Sequence, residues 1–167
     1  MSVFVRIAEP SDRRALARLI GVVQALHVAR RPETFRTVPG PELADWLEGA
    51  FQNPAIKIWV AEVDGTVCGY LLSLIRKQAD NPFVHDRTWF ELDQICVAPA
   101  ERQRGVAKAL VTAAMAYADA HGFRDVELST WAFNDDAQRA FAKLGFMPKV
   151  VRFEAKGRPA AREASHS

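Results

Sequence analysis

Arg102, Gln103, Arg104, Gly105, Val106, Ala107 and Lys108 follow one another where a strand pattern gives way to a helix pattern. The chemistry such a segment suits is anion binding. The start of a helix carries backbone N–H groups without intrahelical partners and the positive end of the helix dipole, so phosphate is attracted there. Gly105 has no side chain and Ala107 a minimal one, which lets a diphosphate approach the main chain closely. Cations at positions 102, 104 and 108 oppose the dipole unless something negative binds among them. Read alone, the segment is equally a solvated basic turn whose glycine serves packing. It lacks the Gly-Lys-Ser/Thr ending of a P-loop and the three glycines of a dinucleotide fingerprint. His27, His85, His121 and His166 do not combine with Cys68 or Cys96 at a metal-ligand spacing, so no metal is expected. Both cysteines lie in apolar, strand-like runs and read as reduced, packed thiols.

The elements that must position this segment alternate between strand and helix signals, with no repeat and no internal linker. The expected elements are a strand over 3–8 and a helix capped by Ser11 that breaks near Gly21 or before Pro32. A loop over 30–41 and a helix over 42–51, with Leu43, Trp46, Leu47 and Ala50 on one face, come next. Strands over 55–63 and 66–77 are joined by Asp64-Gly65, a strong hairpin signal. After a loop over 78–86 come a strand over 88–97 and a helix over 101–121, which would be roughly 30 Å long. A short strand over 126–130, a helix presenting Ala137, Ala140, Phe141 and Leu144, and a closing strand over 146–155 complete the pattern. The chain of 167 residues, 49% hydrophobic and 25% charged, suits a single domain over 1–156 with a disordered tail over 157–167. With 22 Lys and Arg against 20 Asp and Glu, the net charge of +2 gives no reason to expect nucleic acid or a membrane as partner. No apolar run reaches the roughly 20 residues that span a bilayer, and positions 1–10 hold no signal-peptide core. A cytoplasmic location is expected.

Arg102, Gly105 and Ala107 fill, in order, the Arg/Gln, Gly and Gly/Ala places of the signature of the Gcn5-related N-acetyltransferase (GNAT) superfamily. The preceding strand Glu91-Leu92-Asp93-Gln94-Ile95-Cys96-Val97-Ala98-Pro99, then Asn134 with Ala137, then Leu144-Gly145-Phe146, follow in that superfamily's order. From about Val3 to Phe153, including the Asp64-Gly65 hairpin, the sequence resembles it. The resemblance implies an α/β (α+β) fold. Its mixed, mostly antiparallel sheet would have six to seven strands flanked by helices, with two central strands splayed at an acetyl-CoA cleft. Acetyl-CoA would be the co-substrate and a primary amine on a small molecule or peptide the acceptor, attacked directly. Homodimers are frequent in that superfamily. Main-chain groups of Arg102, Gln103, Arg104, Gly105, Val106, Ala107 and Lys108 would wrap the pyrophosphate. The strand Ile95-Cys96-Val97 would leave the main chain of Ile95 and Val97 free for the pantetheine arm, and an N–H near Ile95 would hold the developing oxyanion. Asn134 either caps the following helix or reaches the pantetheine.

An attacking amine of lysine type has a pKa of about 10.4, so something must take its proton. On a regularly alternating strand Glu91, Asp93, Ile95 and Val97 share one face, which makes both carboxylates candidates for the general base. Glu91 is preferred, because relatives with a glutamate base carry it six residues before the valine matching Val97; Asp93 is second. Either could instead be a solvated strand residue or one paired with an arginine such as Arg87 or Arg124. Many relatives carry a tyrosine where Phe141 stands, and Phe141 has no proton for a departing thiolate. It also fits a packing role against Ala137 and Leu144. Water or another side chain could protonate the thiolate, or the protein could be a CoA-binding regulator with little turnover. His27, Arg30, Arg31, Phe35, Trp46, Trp89 and Trp131 could line an acceptor pocket; the sequence assigns none of them.

Overall fold

The computed structural model describes residues 2–155, which fall into two compact units, 2–129 and 130–155. In the first unit, strands β1 (Val3–Ile7), β2 (Ile56–Val63), β3 (Thr66–Gln78), β4 (Arg87–Val97) and β5 (Val126–Leu128) lie in sequential order in one sheet. The first three pairings are antiparallel and the last, β4 with β5, is parallel. β2 and β3 turn about Asp64 and Gly65, at φ 49° and 73°, the left-handed pair that a two-residue hairpin requires. Both strands are apolar and buried on both faces, so helices must cover the sheet on either side.

On one face α1 (Arg13–Arg30) and α2 (Gly40–Gln52) bring Leu16, Leu19, Ile20, Leu47 and Ala50 against Ile58, Val60, Tyr70, Leu72 and Cys96. On the other face α3 (Val106–Ala120) closes an aromatic cluster: the Tyr117 ring lies 5.5 Å from Trp59 and 5.6 Å from Phe90. Arg6 on β1 ties this end of the sheet together, binding Asp12 at 2.7 Å and Glu62 at 2.6 Å. In the second unit, α4 (Asp135–Lys143) is followed by Gly145 at φ 91°.

Several boundaries differ from the sequence expectation. α1 starts at Arg13 after a 3-10 turn, Pro10–Asp12, in which Glu9 and Asp12 form the capping box, so Ser11 is not the cap. It runs through Gly21, because a helical glycine costs only about 1 kcal/mol and buried Leu16, Leu19 and Ile20 anchor the helix around it. The helix expected from 101 begins instead at Val106, after a short 3-10 turn at Pro99–Glu101. The sheet holds five strands among the described residues rather than six to seven. Phe146 to Ala155 forms no ladder, Pro148 removes one donor from it, and Val150, Val151 and Phe153 stay exposed. The tail expected over 157–167 lies outside the described residues.

Gly69 marks where β3 and α3 meet. A Cβ there would lie 3.0 Å from Val106 Cγ1 and 3.1 Å from the Cys96 carbonyl oxygen. Gly69→Ala is therefore expected to destabilise the protein by about 1–3 kcal/mol through overpacking. Urea unfolding would measure it, and an unchanged midpoint would refute the close approach.

Candidate functional site

The Phe90 N–H donates to the Asp125 carbonyl on the β5 side, at 3.0 Å, while the Ala98 N–H donates to the Cys68 carbonyl on the β3 side, at 2.7 Å. In a regular strand two residues an even number apart would point the same way. The reversal comes from a bulge: Leu72 pairs with Gln94 and Ser73 with Leu92, leaving Asp93 as the extra residue on β4. Beyond it, Ile95 and Val97 turn their main chain away from β3. On that side the ladder to β5 has already ended, at Leu92 with Leu128. An open edge thus starts at Asp93. Cys96 differs from its two neighbours, since its main chain faces β3 and its thiol is buried opposite Tyr70.

The bulge also corrects the expected strand face. Glu91 pairs with Leu74, Gln94 with Leu72 and Cys96 with Tyr70, all toward α1 and α2, whereas Ile95 pairs with Leu71 on the α3 face. Glu91 therefore does not share a face with Ile95 and Val97, and Asp93, as the bulged residue, has no partner in the register.

After β4 the chain leaves regular structure. Arg102 is extended, Gln103 is left-handed at φ 61°, and Gly105, the residue that starts α3, is left-handed at φ 82°. Such a change of hand along consecutive residues turns main-chain N–H groups into one concavity. The helix ladder begins with the Ala109 N–H donating to the Gly105 carbonyl at 2.9 Å, and the N–H groups of Val106, Ala107 and Lys108 make no hydrogen bond within the described residues. A Cβ on Gly105 would meet nothing within 4 Å, so the space before these groups is open. Arg104 pairs with Glu101 at 2.8 Å, and Arg102 Nε donates to the Val97 carbonyl at 3.3 Å, reaching the open edge. Unpaired N–H groups at the start of α3, with open space before Gly105 and beside an edge whose ladder has ended, fit a diphosphate joined to an amide-bearing arm.

Glu91 is held by Arg76, Nε to Oε2 at 2.8 Å, rather than by Arg87 or Arg124. Arg87 binds Glu127 at 2.6 Å and lies 4.1 Å from the centre of the Trp89 ring. Asp93 has its pKa raised above the ordinary carboxylate range, first by loss of solvent and then by the negative charge of Glu91, with Arg76 and Gln94 opposing. Neither Arg76 nor the bulge was found by sequence reasoning. The Arg76 contact is a diagonal across the β3–β4 ladder and follows only once the register is known.

In the second unit, Asn134 Oδ1 accepts from the Ala137 N–H at 3.2 Å and caps α4. Phe141 meets Phe146 edge-on at 6.2 Å. Trp131 stacks with Phe133 at 6.0 Å. Among the other candidate pocket residues, His27 stacks on Phe35 at 4.6 Å, with burial lowering its pKa. Arg31 pairs with Glu33 at 2.8 Å, Arg30 closes α1, and Trp46 is partly exposed on α2. No cluster of three metal-ligating side chains occurs among the described residues, and no described helix is long and apolar enough to cross a membrane.

The model of the Acetyltransferase (GNAT) family matches residues 22–146. The uncharacterized N-acetyltransferase YjgM of Escherichia coli is 32% identical over 137 residues, 81% of this chain and 76% of that protein. The L-amino acid N-acetyltransferase AaaT of Escherichia coli is 29% identical over 148 residues, 86% of this chain and 82% of that protein. Among solved structures, aminoglycoside N-acetyltransferase AAC(6')-Iy in complex with CoA superposes with a TM-score of 0.74 at 22% identity, covering 93% of this chain and 96% of that one.

Substitution at Gly105 tests the concavity. A valine there must adopt a left-handed conformation, at a cost of about 1–2 kcal/mol. Its Cβ strikes nothing. Gly105→Val is expected to remain folded and to lose the rise in melting temperature that acetyl-CoA gives the native protein. A full rise in the variant, followed by thermal denaturation, would remove the concavity as the diphosphate seat.

Proposed function

Because this chain belongs to the GNAT acetyltransferase family, we propose that it moves the acetyl group of acetyl-CoA onto a primary amine, of a small molecule or a peptide, by direct attack. The observation that carries the reading is the open β4 edge from Asp93 leading into the unpaired N–H groups of Val106, Ala107 and Lys108. Bound acetyl-CoA supplies an acyl group activated as a thioester. The amides at the start of α3, with Arg102, Gln103, Arg104 and Gly105 before them, hold the diphosphate. The main chain of Ile95 and Val97 pairs with the pantetheine amides, with Arg102 yielding the Val97 carbonyl. The Ile95 N–H donates to the reacting carbonyl oxygen as negative charge builds on it.

The amine nitrogen bonds to the acetyl carbon as the carbon–sulfur bond breaks, and the amine proton passes to a carboxylate directly or through water. Asp93 suits that role better than Glu91. It begins the open edge and has a raised pKa, whereas Glu91 is committed to Arg76. Phe141 offers no proton, so the thiolate, with a thiol pKa of about 8.5, takes its proton from water. The family resemblance, rather than any placement of the two units, adds Asn134 and Phe141 to the proposed cofactor residues; the Asn134 amide nitrogen is left available by its capping oxygen.

The relative named for L-amino acids supports a small-molecule acceptor. Thiol release should be followed with acetyl-CoA and a panel of L-amino acids, aminoglycosides and lysine-containing peptides. Release with at least one class of primary amine is expected. A retained thermal shift without release on any amine would replace the enzyme reading with a CoA-binding regulator. Asp93→Asn is expected to lower kcat by about 10²-fold while leaving the acetyl-CoA thermal shift intact. Because the base must be ionised, the native rate rises with pH through the elevated Asp93 pKa, and the variant should lose that limb. If Glu91→Gln loses it instead, Glu91 is the base.

A further inference from the structure

Val97 stands opposite Gly69, between two residues whose main chain faces β3: Cys96 opposite Tyr70, and Ala98, whose N–H donates to the Cys68 carbonyl at 2.7 Å. In an antiparallel ladder the residue between two such positions turns its own N–H and C=O outward. The Val97 carbonyl therefore points to the side where the ladder to β5 has already ended, at Leu92 with Leu128. Arg102 Nε donates to that carbonyl at 3.3 Å. An extended, amide-bearing arm adding to this edge needs the same carbonyl and reaches it from the same side. The guanidinium and the arm compete for one place.

The guanidinium is lightly held there. Arg102 is exposed and forms no ion pair among the described residues, whereas Arg104 is paired with Glu101 at 2.8 Å. A guanidinium grips phosphate oxygens as a fork, more strongly than it holds a single neutral carbonyl. The groups suited to seat a phosphate, the unpaired N–H groups of Val106, Ala107 and Lys108, follow Arg102 closely in the chain. Arg102 thus belongs to both halves of the site, and it can serve only one of them at a time.

We infer that Arg102 is a specificity-determining residue for the acyl donor. It closes the β4 edge to a pantetheine thioester that carries no diphosphate, and it frees the edge when a diphosphate at the start of α3 draws the guanidinium away. This rests on the acetyl-transfer reading above for the identity of the ligand. A donor bearing both groups on one molecule opens its own place on the strand; a bare thioester arm must displace the guanidinium unaided.

The two halves of such a donor can be supplied separately. S-Acetylpantetheine is neutral, so cooperation between it and inorganic pyrophosphate must pass through the protein. Binding would be followed by NMR titration of the Ile95 and Val97 amides. In the native protein, saturating pyrophosphate is expected to tighten S-acetylpantetheine about fivefold, the worth of one exposed hydrogen bond. Linkage requires S-acetylpantetheine to tighten pyrophosphate by the same factor. Arg102→Ala truncates an exposed side chain without an ion pair and should fold. Without pyrophosphate, this variant is expected to bind S-acetylpantetheine about fivefold tighter than the native protein does, and pyrophosphate should then add less than about twofold. Arg104→Ala should weaken pyrophosphate yet keep the cooperation once pyrophosphate is saturating. Absent cooperation in the native protein, cooperation that survives Arg102→Ala, or a variant that binds S-acetylpantetheine no tighter than the native protein would each overturn the latch. The transfer reading would outlive that result wherever acetyl-CoA still raises the melting temperature and an amine still releases thiol. Cooperation abolished by Arg102→Ala in a protein that releases thiol with no amine would uphold the latch and remove the transfer reading. Failure of S-acetylpantetheine to bind even Arg102→Ala would overturn the latch, since the freed edge must accept it.

Discussion

One inserted residue in the pairing of β3 with β4 determines where the β4 edge lies open. Before Asp93 the strand gives its main chain to β5, and after it the direction is exchanged. A regular strand would have turned the amides of Gln94 and Cys96 toward the open side and Ile95 and Val97 back into the ladder. The extra residue instead frees Ile95 and Val97 just where β5 stops pairing. It also puts Asp93 at the start of that opening, next to Gln94, whose side chain is anchored in the core by Tyr70. The open edge and the place of Asp93 at its start both depend on this single shift in register.

Much of this was legible from local chemistry. Asp64 and Gly65 name their own turn, because few residues tolerate two successive left-handed positions. The glycine at 105 likewise matches a backbone that only glycine adopts without strain, and the N–H groups behind it follow from helix geometry. The two carboxylates and the segment from Arg102 to Lys108 were singled out from spacing and resemblance, but their relative placement was not. Nothing in Glu91 to Val97 marks Asp93 as the bulged residue, since its neighbours have ordinary strand character and the irregularity arises from how β3 lies against β4. Arg76 as the partner of Glu91, and Tyr70 as the partner of Gln94, are cross-strand facts of the same kind. The helix expected from 101 failed for a different reason. Gln103 and Gly105 in left-handed conformations cannot continue a helix, and glutamine carries no warning of that.

The sheet's other components serve the same opening from behind. Gly69 lets Val106, the first residue of α3, press directly against β3, with no room for a methyl group between them. The beginning of the helix is thereby seated on the strand next to β4, and its unpaired amides are kept close to the end of the open edge. Packing on the α1 and α2 side fixes the opposite face, where Leu16, Leu19 and Leu72 enclose Tyr70. Rigid layers on both sides suit a site whose donors must be in place before a ligand arrives.

An exposed run of unpaired strand is a hazard to any protein, because a second molecule can add to it and begin an aggregate. Here the stretch is only a few residues long, and the guanidinium of Arg102 rests on its last carbonyl. A cation seated on a bare rim discourages stacking by another copy, which would bring its own cation. Arg102 thus places a positive charge on the part of the strand where another copy would have to add.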